Sequence, residues 1–212
     1  MKRILSIFLA FILILAVSSC KKTDNGTSEN PRNVTDDKID EQVTGTIHKV
    51  SVKESTRKFI VGGKTDYKVV VADSSSEAQT AASFMVKHLK AASGADIEVI
   101  DYKNSVGATY SQTAKYIYIG RNAAFDAAGL TMPSDDLATS GYYIKTAGES
   151  VFIVTKSIYG YQTGAIAFLR QVIGYDMYSE SMVGYDRSPA TLPDMDIIER
   201  PDFDYRNWSN PL

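Results

Sequence analysis

The sequence predicts an α/β domain of the α+β kind: a mixed, largely antiparallel sheet with two long helices packed against it. Three observations carry the expectation. Two long stretches repeat apolar residues at helical spacing and stop at a glycine, short β-rich runs lie before, between and after them, and adjacent hairpin signals exclude a purely parallel sheet.

Taken in order, residues 59–61 and 67–71 are β-rich, and Gly62-Gly63 between them predicts a hairpin. Residues 74–92 read as a helix: Ser74 and Glu77 have capping-box spacing, while Ala78, Ala81, Ala82, Met85 and Leu89 share one face. Gly94 stops it. Ile97 and Val99 alternate with acidic residues on an expected strand, and Tyr116-Ile-Tyr-Ile119 is another, followed by Gly120 and a short helix over 123–128. Residues 142–146 and 151–155 form a second expected hairpin across Gly148-Glu149. The second long helix spans 158–173, with Tyr161, Ala165, Phe168, Leu169 and Val172 inward and Gly174 at its end. Residues 194–199 are extended and lead to Pro201.

The ends have a different character. Lys2 and Arg3 precede an almost wholly apolar run over 4–17, and Val17-Ser18-Ser19-Cys20 closes it with small residues, the order of an export signal over 1–19. A membrane span needs about 20 apolar residues, more than this run supplies. Lys21-Lys22 also put positive charge on its far side. Val-Ser-Ser-Cys resembles the lipobox of bacterial lipoproteins, which implies a diacylglyceryl chain on Cys20 and anchoring at the cell envelope; Lys21, where an aspartate commonly retains such proteins in the inner membrane, implies the outer membrane. Lipid chains contribute about 0.8 kcal/mol per buried methylene, so two or three hold firmly. Cys20 is the single cysteine, so the chain forms no internal disulfide; a buried core thiol is the alternative reading. Residues 20–43 are polar and read as a disordered tether, because they bury too little to offset their ordering entropy. Residues 44–199 are the expected domain, and 200–212 the start of a linker.

Net charge is −2 with basic residues scattered, which gives no electrostatic reason to expect nucleic acid as a partner. Asn25, Asn33 and Asn207 open glycosylation-type triplets that are chance matches in a bacterial lipoprotein. No cofactor or metal is expected. His48 and His88 are the two histidines, with no paired ligand spacing, and His88 reads as a surface or boundary residue off the apolar face. Ser74, Ser75 and Ser76 cap a helix and sit in no nucleophile elbow. Gly62-Gly63-Lys64 and Gly160 to Gly164 lack the full phosphate-loop and dinucleotide patterns.

An ordered set of short motifs covers most of the chain from Tyr67 onward. It comprises Tyr116-Ile-Tyr-Ile-Gly120, Gly129-Leu130, Gly141-Tyr-Tyr-Ile144, Val151-Phe-Ile-Val154, Gly160-Tyr-Gln-Thr-Gly164 with Phe168-Leu169, Gly174-Tyr175, Tyr178, and Glu199-Arg-Pro-Asp-Phe-Asp-Tyr-Arg206. The set resembles the N-terminal domain of bacterial α-glucuronidases and β-N-acetylhexosaminidases, in lipoprotein form. Two departures stand out: the family often has an arginine before the second glycine-marked helix, where this chain has Tyr159 and Tyr161 nearby, and no barrel segment follows Arg206. The resemblance implies a structural companion to a catalytic barrel, with the acid and base carried by that barrel. It also implies that Arg206, the arginine of the Tyr-Arg pair at the barrel entry, contacts sugar hydroxyls, a task suited to a multi-donor guanidinium.

The chain's own carboxylates and aromatics have two readings each. Asp194 with Asp196, and Asp202 with Asp204, are i, i+2 pairs that share a face if extended. They are either solvated surface or a glycosidase pair, which needs carboxyls roughly 5 to 9.5 Å apart across a sugar cleft. Among thirteen tyrosines, Tyr142, Tyr143, Tyr175, Tyr178 and Tyr185, together with Trp208, are stacking candidates, and sheet-edge packing is the alternative. Two function classes remain: the inactive N-terminal portion, or a truncated form, of a glycan-degrading lipoprotein, and a stand-alone glycan- or protein-binding module at the envelope.

Overall fold

The computed structural model describes residues 48–133, 137–179 and 182–200. They form a seven-stranded sheet with two long helices on one face. Three strands and the first helix open the chain: β1 (Lys49–Lys53), β2 (Lys68–Val71), α1 (Ser76–Ser93) and β3 (Val99–Ile100). A 3-10 helix, Tyr102–Gly107, leads to β4 (Tyr116–Ile119) and the short α2 (Ala123–Ala127). The hairpin β5 (Tyr142–Ala147) and β6 (Ser150–Val154) precedes α3 (Gly160–Ile173). A separate two-stranded hairpin, β7 (Tyr175–Ser179) and β8 (Met182–Tyr185), then precedes β9 (Asp194–Glu199).

The sheet order is β1-β9-β5-β6-β4-β2-β3, antiparallel from β1 to β6 and parallel from β6 to β3. The antiparallel ladders carry five, four and five paired residues and the parallel ones three, four and two, so pairing is largely antiparallel. This is the mixed sheet that the sequence predicts.

Strand alternation sorts the core into two layers. Val69, Val71, Ile117, Ile119, Val151 and Ile153 point to the face covered by α1 and α3. Val70, Tyr118, Phe152 and Val154 point the other way, where Phe125 of α2, Ala108 and Leu137 cover them. Central strands buried on both faces read as continuous apolar runs, which is how Lys-Val-Val-Val and Tyr-Ile-Tyr-Ile look. On the second face Tyr118 stacks on Phe152 at 4.6 Å, and its hydroxyl donates to the Ala108 carbonyl at 3.0 Å.

The helices follow their sequence signals, with one shift. The cap of α1 is Ser75, not Ser74: its hydroxyl accepts from the Ala78 N–H at 3.3 Å, while Asp73 accepts from the Ser75 N–H at 2.8 Å. Ala78, Ala81, Ala82, Met85 and Leu89 are buried as expected, and Gly94 ends the helix in the left-handed conformation. The Gly-x-x-x-Gly of α3 is a packing device: a side chain at Gly164 would come within 2.7 Å of Ile153 on β6. The helix therefore lies close against the sheet, with Phe168 and Leu169 fully buried.

The first expected hairpin does not form. Gly62 and Gly63, both at positive φ, make a tight turn in which Val61 and Lys64 exchange backbone bonds at 2.9 and 3.2 Å, but the ladder goes no further. Phe59 and Ile60 donate instead to the carbonyls of Ala190 and Pro189. The 67–71 run is claimed by parallel partners on both sides, and Phe59 packs edge-on against Tyr67 at 5.1 Å. Parallel burial on both sides outweighs the local turn.

Candidate functional site

Cys20, Asp202, Asp204, Arg206 and Trp208 lie outside the described residues, as do the export signal, the tether and the linker beyond residue 200. The remaining candidates are placed, and their surroundings differ sharply.

On β9, Asp194 and Asp196 share a strand face, and both are ion-paired. Asp194 receives the Arg57 Nη2 at 2.8 Å; Asp196 receives Lys49 at 2.5 Å and Lys145 at 2.9 Å. Burial alone would raise the Asp196 carboxyl, but hydrogen bonds from Lys49 and Lys145 hold it below its ordinary value. An acid for glycoside cleavage needs the opposite shift. Asp196 thus fastens β1 and β5 to β9, and Asp194 holds Arg57 of the segment that follows β1. Arg57, with only 12% of its side chain exposed, also donates to the Leu192 carbonyl at 3.1 Å and lies 3.7 Å from Glu149.

His48 is exposed and pairs with Glu199 at 2.6 Å. His88 is a correction: it is buried, not a surface or boundary residue. Its ring lies against Phe84 and Tyr175, and its Nδ1 is in hydrogen-bond contact with the Tyr185 hydroxyl at 2.7 Å. Burial first, and Lys87 second, lower its pKa. The apolar-face count missed it because α3 is followed by a hairpin that folds back over this side of α1. Among the described residues no cluster of His, Cys, Asp or Glu could hold a metal ion, and no helix is long and apolar enough to cross a membrane.

The tyrosines divide. Tyr143 and Tyr175 are buried, and burial pushes the hydroxyl of Tyr143 up to about 12; Tyr142 and Tyr185 are half-buried. Tyr178 is 66% exposed. Met177, Met182 and Val183 of β7–β8 are exposed as well. The hairpin is anchored at one end, where Tyr175 and Tyr185 pack on the Phe84–His88 pair of α1, and its outer part is uncovered among the described residues. A two-stranded ribbon of this kind is marginal alone. No periodic pattern marks it, since Tyr-Asp-Met-Tyr-Ser mixes both faces.

A second feature is concave. A cavity of about 540 Å³ opens where β2 and β4 end, between the 3-10 helix and α2. No motif announces it; its signal is topological, two neighbouring parallel strands ending side by side.

No protein-family model matches the sequence, and no curated protein matches it. Several solved structures do resemble part of it. The chain is similar to a region of Streptomyces plicatus N-acetyl-β-hexosaminidase, at 17% identity and a TM-score of 0.43, over 74% of this chain and 26% of that one. It is also similar to a region of the GH20 β-N-acetylhexosaminidase from Streptomyces coelicolor, at 18% identity and a TM-score of 0.44, over 72% and 25%. A third is the GH20 exo-β-N-acetylglucosaminidase from Vibrio harveyi, at 16% identity and a TM-score of 0.41, over 74% and 19%. The chain thus spans about a quarter or less of the length of these structures. At such identities and scores the likeness carries no argument about activity.

Proposed function

We propose that the chain is the non-catalytic N-terminal domain, or a truncated form, of an envelope lipoprotein that takes part in glycan degradation. The apolar surface of the β7–β8 hairpin carries the proposal. Met177, Tyr178, Met182 and Val183 are exposed on an element pinned to α1, and such a concentration of exposed apolar side chains on one small ribbon marks an interaction site. A companion domain that docks on a larger neighbour presents such a face. The motif set ending in Glu199-Arg-Pro-Asp-Phe-Asp-Tyr-Arg206 supports a glycosidase barrel as that neighbour. The ion-paired, lowered Asp196 supports a role without chemistry of its own. Cys20, by its lipobox-like surroundings, anchors the protein in the outer membrane.

The test is genetic and enzymatic. DNA beyond the Leu212 codon is expected to continue in frame, or to resume after one frameshift, into a barrel-encoding segment. The 212-residue chain is expected to leave aryl glucuronides and aryl N-acetylhexosaminides uncleaved. Turnover that disappears in Asp202→Asn or Asp204→Asn would overturn the proposal. A second reading, the stand-alone binding module, is favoured by the cavity at the ends of β2 and β4. Glycan binding without turnover, lost on Arg206→Ala or Trp208→Ala, would select it.

A further inference from the structure

The parallel half of the sheet has the order β6-β4-β2-β3. From β2 the chain crosses by α1 on one face to β3, at the edge; from β3 it returns past the 3-10 helix on the other face to β4, on the far side of β2. The connections leaving β2 and β3 therefore diverge, and a crevice opens between them at the carboxyl ends of β2 and β4. Open parallel sheets bind ligands at this kind of switch point, because the diverging loops leave strand ends uncovered. The cavity described above occupies it. Ala72 follows β2, Arg121 and Asn122 follow β4, and the segment after β3 forms the opposite wall.

Its chemistry is one-sided. Alanines line it at positions 72, 108, 123, 124 and 127, with Tyr102 and Tyr110 in the wall. No carboxylate lines it, whereas two cations, Lys103 and Arg121, do. Arg121 is half-committed, 2.8 Å from Asp126 and over the Phe125 ring. Lys103 is exposed and has no ion-pair partner among the described residues. The nearby Asp101 is occupied in capping the 3-10 helix, where it accepts from the Asn104 backbone and side-chain nitrogens at 3.0 and 2.9 Å. Asn122 spends its carbonyl oxygen on the Ala124 N–H, which leaves its amide hydrogens for a ligand. A volume of 540 Å³ falls within the roughly 300 to 1,000 Å³ of small-molecule sites.

We infer that this crevice binds a small amphipathic organic carboxylate, its apolar body on the alanine floor between the two tyrosines and its charge at the Lys103 end. Binding of this kind is independent of the companion-domain proposal and holds with or without a barrel.

Isothermal titration of the full chain with decanoate tests it, with decanol and decylammonium as neutral and cationic counterparts and alanine methyl resonances to locate the ligand. Saturable binding of decanoate is expected, at least tenfold tighter than either counterpart, with shifts confined to Ala72, Ala108, Ala123, Ala124 and Ala127. Lys103→Glu should weaken it at least tenfold, and Ala127→Phe, at an exposed position facing the cavity, should block it while leaving the circular dichroism unchanged. Equal affinity for decanol, indifference to both substitutions, shifts located elsewhere, or no binding would each overturn the inference.

Discussion

A methyl group at position 160 would collide with the Gly141 carbonyl oxygen and come within 2.8 Å of the Thr155 side chain. The first residue of α3 is thus wedged between the start of β5 and the end of β6. Gly160→Ala should cost about 1 to 3 kcal/mol, the range for overpacking, read as a lower midpoint in chemical denaturation. His88 supplies a second expectation at this scale. Its folded pKa lies below the ordinary 6.5, so as pH falls the unfolded chain binds the proton first. Stability present above about pH 6.5 is lost below it, until the folded imidazole itself protonates. Unfolding midpoints should fall between about pH 7.5 and about pH 5 in the native chain and fall less in His88→Gln. Neither residue could be read in this way from the sequence. Gly160 reads as half of a motif and His88 as a boundary residue, because the Gly141 carbonyl beside the one and the Tyr175 and Tyr185 rings beside the other arrive only with the tertiary fold.

Elements were more legible where a single period or stop signal decided them. The inward faces of α1 and α3 follow from their spacing, and Gly94 and Gly174 end them in the left-handed conformation. Phe168 and Leu169 are fully buried, Phe168 edge-on to Phe59 at 6.4 Å, so Phe168→Ala or Leu169→Ala should each cost about 2 to 5 kcal/mol in equilibrium unfolding. A cost within error at both would mean that α3 is not docked. The edge strand β1 is hard to see in the sequence because Lys-Val-Ser-Val-Lys continues a polar stretch, and its Val50 is itself 55% exposed. The 67–71 run was recognisable as a strand, but not its partners. Parallel neighbours are chosen by long-range burial, and the nearby Gly62-Gly63 turn suggested a local one. The crevice is hidden from the sequence for the same reason, since it exists only because β2 and β4 run side by side.

For the molecule as a whole, the ordered motifs and the mixed sheet agree, while Cys20, Arg206 and Trp208 lie outside the described part. Cys20→Ser should therefore be decisive for location: the protein is expected to move from the membrane fraction to the soluble one. Unchanged fractionation would remove the lipid anchor from the account. The pairing of β1 with β9 has a mechanical consequence. Lys49 faces Ile198, and His48 is bonded to Glu199, so the domain is entered and left at the same corner. A load applied between His48 and Arg200 pulls these strands apart one rung at a time, starting with that ion pair, instead of shearing the whole ladder at once. Tension along the chain would peel the edge strand first and reach the two-layered core last.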